Sequence, residues 1–166
     1  MAFLKGGKAL ALGISTACLY PMAMEDSLQT LIDSGFREFE IFINTYSEME
    51  PEFLTMLEEK LKPQGCRVKS LHPFTSGFES YLLFSNYERR FQDGASFYRR
   101  YFEMARRLGA EVLVIHGDRS FEKSGLNDRE SVSYTHLSGV LRGKNLFSEF
   151  AYPISIRAGG GLPFLL

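Results

Sequence analysis

The stretch Leu108-Gly109-Ala110-Glu111-Val112-Leu113-Val114-Ile115-His116-Gly117-Asp118 decides how the rest of the chain is read. Gly109 ends a helical pattern, and Val112 to Ile115 is the short continuous apolar run of a strand buried on both faces. A histidine and a turn-forming dipeptide close it. An earlier stretch, Cys66-Arg67-Val68-Lys69-Ser70-Leu71-His72-Pro73-Phe74, repeats the plan. Two of the chain's three histidines therefore stand where successive predicted parallel strands run out. In α/β proteins the carboxyl ends of parallel strands are where chemistry is done. A neutral imidazole there can ligate a metal, move a proton or hold a substrate hydroxyl.

Outward from these two strands the alternation continues. Leu10 to Ala17 reads as a first buried strand. Met24-Glu25-Asp26 opens a helix with Leu28, Leu31, Ile32 and Phe36 at helical spacing, and Gly35 stands at its end. Phe39 to Ile43 is the second strand. Pro51 fits a first helical turn, Phe53, Leu54, Leu57 and Leu61 share a face, and Lys62-Pro63-Gln64-Gly65 stops the helix. Thr75 to Gln92 reads as a long aromatic connection, and loops of that length are often functional. Asp93 is placed to cap the next helix, which carries Phe97, Tyr101, Phe102, Ala105 and Leu108 on one side. Arg99, Arg100, Arg106 and Arg107 lie mostly on the other, as a solvated face or, alternatively, a phosphate-binding one. Strand–helix units of about 30 residues imply a parallel sheet with right-handed crossovers.

With 166 residues the chain is long enough for one domain with a real core. A net charge of -1 provides no global field to attract nucleic acid or an anionic membrane. Cys18 and Cys66 form no metal-ligand spacing and no disulfide framework, so a reduced, cytoplasmic setting is expected. Lys5 and Lys8 before the apolar stretch Ala9 to Leu19 imitate a short signal peptide. Gly13, Ser15 and Thr16 interrupt that stretch, and no run is long enough to span a bilayer.

Beyond about Arg129 the periodicity stops. Residues 131–166 show no helical stripe and no strand–turn–helix unit, and Arg157 to Pro163 looks like a glycine-rich tail. Val132-Ser133-Tyr134-Thr135-His136-Leu137 resembles one reading frame of a transposon mosaic end used in sequencing-library preparation. Residues 1–130 are expected to form the domain, and 131–166 to be an irregular tail of frameshift or adapter origin.

Leu12-Gly13-Ile14-Ser15-Thr16, the Phe39-Glu40 step, Leu71-His72-Pro73-Phe74 and the stretch from Leu108 to Asp118 together resemble the sugar phosphate isomerases/epimerases. These are xylose isomerase-like TIM barrels, a superfamily that also includes the apurinic-site endonucleases. The resemblance covers about residues 9 to 125 and rests on the order and spacing of its motifs. It implies an α/β fold, the N-terminal half of a (β/α)8 barrel whose full length is about 250 residues. It further implies a divalent metal (Mn, Mg, Co or Zn) and metal-assisted proton transfer next to a carbonyl, with glutamates as acid and base. Those metal and acid/base positions lie in the second half of such barrels and have no match here. Glu149 is not assigned.

Carried over residue by residue, the resemblance makes Glu40, His72 and His116 candidates for substrate binding. In the endonuclease-like alternative His72 and His116 are zinc ligands. Each has a plainer reading. His72 could cap its strand, His116-Gly117-Asp118 could be a tight turn, and strand alternation could aim Glu40 at the helix layer. Cys18 is expected to be a buried, inert thiol, and His136 incidental.

Three functions follow: a sugar or sugar-phosphate isomerase/epimerase in the parent protein, an endonuclease-like zinc phosphodiesterase, and an inactive fragment. The expected partner is a small sugar or sugar phosphate, with neither nucleic acid nor membrane favoured. An exposed half-barrel surface would favour self-association.

Overall fold

The computed structural model describes residues 12–75, 77–83, 85, 87–116 and 155–158. The elements, in chain order, are β1 (Gly13–Ser15), α1 (Met24–Asp33), β2 (Glu38–Phe42), α2 (Pro51–Leu61), β3 (Arg67–His72), α3 (Glu79–Leu82), α4 (Glu88–Leu108), β4 (Val112–Ile115) and β5 (Ser155–Ala158). Every strand pairs in parallel with its neighbour in sequence, giving one sheet of order β1-β2-β3-β4-β5. A doubly wound sheet reverses its strand order at a switch point. This sheet adds each strand on the same side, as the wall of a barrel does.

Alternation along the strands divides the two faces of the sheet. Phe39, Ile41 and Ile43 with Leu113 and Ile115 are fully buried. They belong to one core with Leu28, Leu31 and Ile32 of α1, Leu54, Leu57 and Leu61 of α2, and Phe91, Tyr98 and Phe102 of α4. Each such side chain contributes about 1.5–3 kcal/mol by leaving water. The intervening positions Glu40, Phe42, Val112 and Val114 are only half-buried and form the opposite face.

One irregularity keeps the two faces consistent. Phe39 pairs with Val68, but Glu40 pairs with Ser70, so the register slips by one residue at Lys69. Val68 and Leu71 consequently both join the core, while Ser70 and His72 come to the half-buried face with Glu40.

Several boundaries differ from the sequence reading. The first strand is only Gly13–Ser15 among the described residues, its side chains exposed or half-buried, because Thr16–Leu19 turns at once into a 3-10 helix. Cys18 lies in that turn and is exposed, not buried. The Thr75 to Gln92 connection is not a loop throughout: it holds α3 and the start of α4. Asp93 therefore lies inside α4 and caps nothing, since burial of Phe91 and packing of Gly94 on Leu82 draw the helix start back to Glu88. The arginines do more than meet solvent, and two of them link α4 to the α2 region. Arg100 pairs with Glu50, and Arg107 reaches Glu58, Thr55 and the Pro51 carbonyl, tying α4 to α2.

The tail read as irregular contributes β5, hydrogen-bonded along β4 from Val112↔Ser155 to Ile115↔Ala158. The rest of 131–166, including His136 and Glu149, lies outside the described residues, as do residues 1–11 and 117–130. No helix among the described residues is long and apolar enough to cross a membrane.

Candidate active site at the carboxyl ends of β2, β3 and β4

Glu40, His72 and His116 come together. Glu40 is the central residue of β2, His72 ends β3, and His116 directly follows β4. The parallel register sets Phe42 beside His72, and the same face of the sheet carries all three candidate side chains. The His72 Nδ1 lies 3.4 Å from Glu40 Oε1, and its Nε2 lies 3.0 Å from His116 Nε2. The Phe42 ring meets His72 edge-on at 4.8 Å between centroids. A shallow pocket lined by Glu40, Lys69, Ser70, Glu111, Val112 and Val114 opens on this face. Glu40 lies on the face opposite the helix-packed core, not toward the helix layer, and His72 is hydrogen-bonded at the end of its strand.

Glu40 is held from the two neighbouring strands. The Ser70 hydroxyl donates to its Oε2 at 3.2 Å, and Ser15 pairs with it across β1. Its carboxyl is kept below the usual carboxylate range, first by the hydrogen bond from His72, against a desolvation that pushes the other way.

The sequence reading missed the group behind His116. Glu79 of α3 is fully buried, and its Oε2 accepts the His116 main-chain N–H at 2.6 Å. Its Oε1 lies 3.4 Å from His116 Nδ1 and accepts the Tyr98 hydroxyl at 3.0 Å. The Thr75 hydroxyl lies 2.7 Å from that of Tyr98 and completes the row. Burial, and after it the Glu79 charge, push the Tyr98 phenol well above its ordinary value, so Tyr98 remains a donor. The signal was available in part: Glu79 is an acid set between Phe78 and Tyr81-Leu82, where a solvated carboxylate would have no reason to be apolar-flanked.

Two imidazole nitrogens converge here, but a catalytic metal such as zinc usually takes about three protein ligands. Among the described residues no group of three or more His, Cys, Asp or Glu is arranged to hold a metal ion. The donor set present falls short of a metal site, and His72 and His116 by themselves offer hydrogen bonds.

No protein-family model and no curated protein matches the chain. Solved structures do. The apo form of 3-keto-D-glucoside 4-epimerase from E. coli superposes with a TM-score of 0.59 at 16% identity, covering 89% of this chain and 55% of that one. A D-tagatose 3-epimerase-like protein gives 0.61 at 18% identity, over 89% of this chain and 52% of the other. An AP endonuclease of family 2 from Brucella melitensis gives 0.54 at 14%, over 89% and 54%. A fusion protein containing a xylose isomerase-like TIM barrel gives 0.52 at 16% identity, over 87% of this chain and 20% of that one. At these identities the likeness is one of fold. The chain has the fold of part of a TIM barrel and spans about half the length of the two epimerase structures it matches.

Proposed function

We propose that the parent protein is a sugar or sugar-phosphate isomerase or epimerase, and that this chain carries one wall of its active site. The observation that carries the reading is the row Glu40–His72–His116, three polar side chains from three successive strands on one face. Moving a proton beside a carbonyl needs a base of tuned pKa and a donor or cation at the developing enediolate oxygen. The row provides donors and acceptors for the hydroxyls of a small polyol. The acid, the base and the remaining ligands of a divalent metal belong to the other part of the barrel. The 166-residue chain by itself is then inactive, and its half-buried sheet face favours self-association. The setting is cytoplasmic, and neither nucleic acid nor membrane is a partner.

The test begins with the nucleotide sequence around Val132–Leu137 from independently prepared DNA. The parent barrel read from it is then given ketoses and ketose phosphates in deuterated water. Deuterium entering the carbon next to the carbonyl, and falling about 10²-fold or more in His72→Asn, supports the reading. Clear turnover by the 166-residue chain alone would sink the fragment assignment.

The 3.0 Å approach of the two Nε2 atoms favours a second reading, since two ligands of one zinc ion stand about this close. On that reading the parent is a zinc phosphodiesterase, and incision of an oligonucleotide with an abasic site replaces deuterium uptake as the activity.

A further inference from the structure

The two histidines are oriented alike, each with a glutamate carboxylate at Nδ1 and each with Nε2 turned to the other. The carboxylates differ. Glu40 is half-buried on the open face, whereas Glu79 is fully buried and lies behind His116, on the side away from His72. Fully buried carboxylates are uncommon unless paired. This one meets three donors or potential donors: the His116 main-chain N–H, the Tyr98 hydroxyl and the His116 ring.

We propose that Glu79 is a positioning residue for His116, locking its imidazole in the Nδ1–H form so that Nε2 is the acceptor, and His72 Nε2–H the donor, of the 3.0 Å hydrogen bond between the two rings. This rests on the reading that His116 faces the substrate. The argument is one of hydrogen-bond inventory. A carboxylate has no proton to offer, so the ring nitrogen facing it must carry the hydrogen. A neutral imidazole has only one N–H, which leaves the lone pair at Nε2. The 2.6 Å bond to the main chain fixes where the carboxylate stands, and Tyr98, itself receiving from Thr75, fixes its rotation.

A purely structural Glu79, needed only to satisfy the main-chain N–H, would be replaced by glutamine without effect on the ring. The positioning role predicts otherwise. In Glu79→Gln the main-chain N–H selects the amide oxygen, which turns the amide NH2 toward Tyr98 and His116 Nδ1. A donor then faces Nδ1, and the ring proton moves to Nε2. His116 would present a donor where it had presented an acceptor.

The measurement is long-range ¹H–¹⁵N correlation on the side chains of the ¹⁵N-histidine-labelled full chain. Each ring nitrogen then reads directly as protonated or bare. His116 is assigned with His116→Gln. The expected result is Nδ1–H in the wild type and Nε2–H in Glu79→Gln, with Tyr98→Phe keeping the wild-type form because the carboxylate remains. A wild-type His116 protonated at Nε2 overturns the proposal before any Glu79 variant needs to fold, and so does an unchanged ring in a folded Glu79→Gln. Activity of the parent barrel is a separate readout. If Nδ1–H is found and the parent exchanges no carbon-bound proton, the isomerase reading fails and the role of Glu79 stands.

Discussion

Gly94 of α4 lies so close to Leu82 of α3 that a Cβ added to it would stand 2.7 Å from the Leu82 Cβ and 3.2 Å from the Leu82 carbonyl carbon. Alanine at an ordinary helix position gains up to about 1 kcal/mol over glycine. Here the clash is with backbone as well as side chain, so the overpacking penalty of about 1–3 kcal/mol decides the sign. Gly94→Ala should destabilise the domain in urea denaturation. It should also move α3, and Glu79 with it, away from His116. A Gly94→Ala variant more stable than wild type would refute the packing.

Two buried tyrosines on the same helix should respond oppositely to loss of a hydroxyl. Tyr98 donates to Glu79, and removing it leaves a buried carboxylate oxygen short of a partner. Tyr98→Phe should cost about 1–3 kcal/mol. The Tyr101 hydroxyl is buried without a hydrogen-bond partner among the described residues. Tyr101→Phe should therefore be neutral or stabilising, within about 0.5 kcal/mol on the unfavourable side. Paired denaturation curves read the contrast.

The pH dependence should be acidic in origin and traceable to Glu40. Its carboxyl is held low in the fold, chiefly by His72. A lowered folded value means stability that is present above the unfolded value and is lost as pH falls through the folded one. Melting temperature should drop as pH is lowered below about 4. In Glu40→Gln that part of the drop should be absent, and the two curves should converge at low pH. Glu58 and Glu103 are also held low by Arg107 and Arg106, but on the surface, where screening leaves such pairs little weight.

Cysteine reactivity should separate the two thiols. Cys18 is exposed, while burial pushes the Cys66 thiol up and only partly offsetting help comes from Arg37. The thiolate is the reacting species. Iodoacetamide near neutral pH, followed by peptide mass spectrometry, should label Cys18 about 10-fold faster than Cys66. Equal labelling would contradict the placement of Cys66.

The strand–helix alternation was legible because its signals are local. Pro51 does open α2, Gly109 does end α4 in the left-handed conformation, and both histidines do close their strands. The meeting of Glu40, His72 and His116 followed from parallel strands in sequential order. The start of α4 was not legible. Asp93 is a good local cap, but Phe91 and Gly94 only reveal their packing partners in three dimensions. The role of Glu79 was hidden for the same reason, since its partners lie 19 and 37 residues away along the chain. β5 was missed because Ser155-Ile156-Arg157-Ala158 is short and has no continuous apolar run.

The slip at Lys69 gives β3 two reading frames. Counted from its beginning, the strand keeps step with the helices through Val68; counted from its end, it keeps step with the mouth through His72 and Ser70. An unbroken alternation from Val68 would bury the imidazole and expose Leu71. The slip absorbs one supernumerary residue: in a chain shortened by Lys69 the pairs Phe39↔Val68 and Glu40↔Ser70 would follow without a break, and His72 would keep its face, whereas Lys69 held in a regular strand would turn it inward.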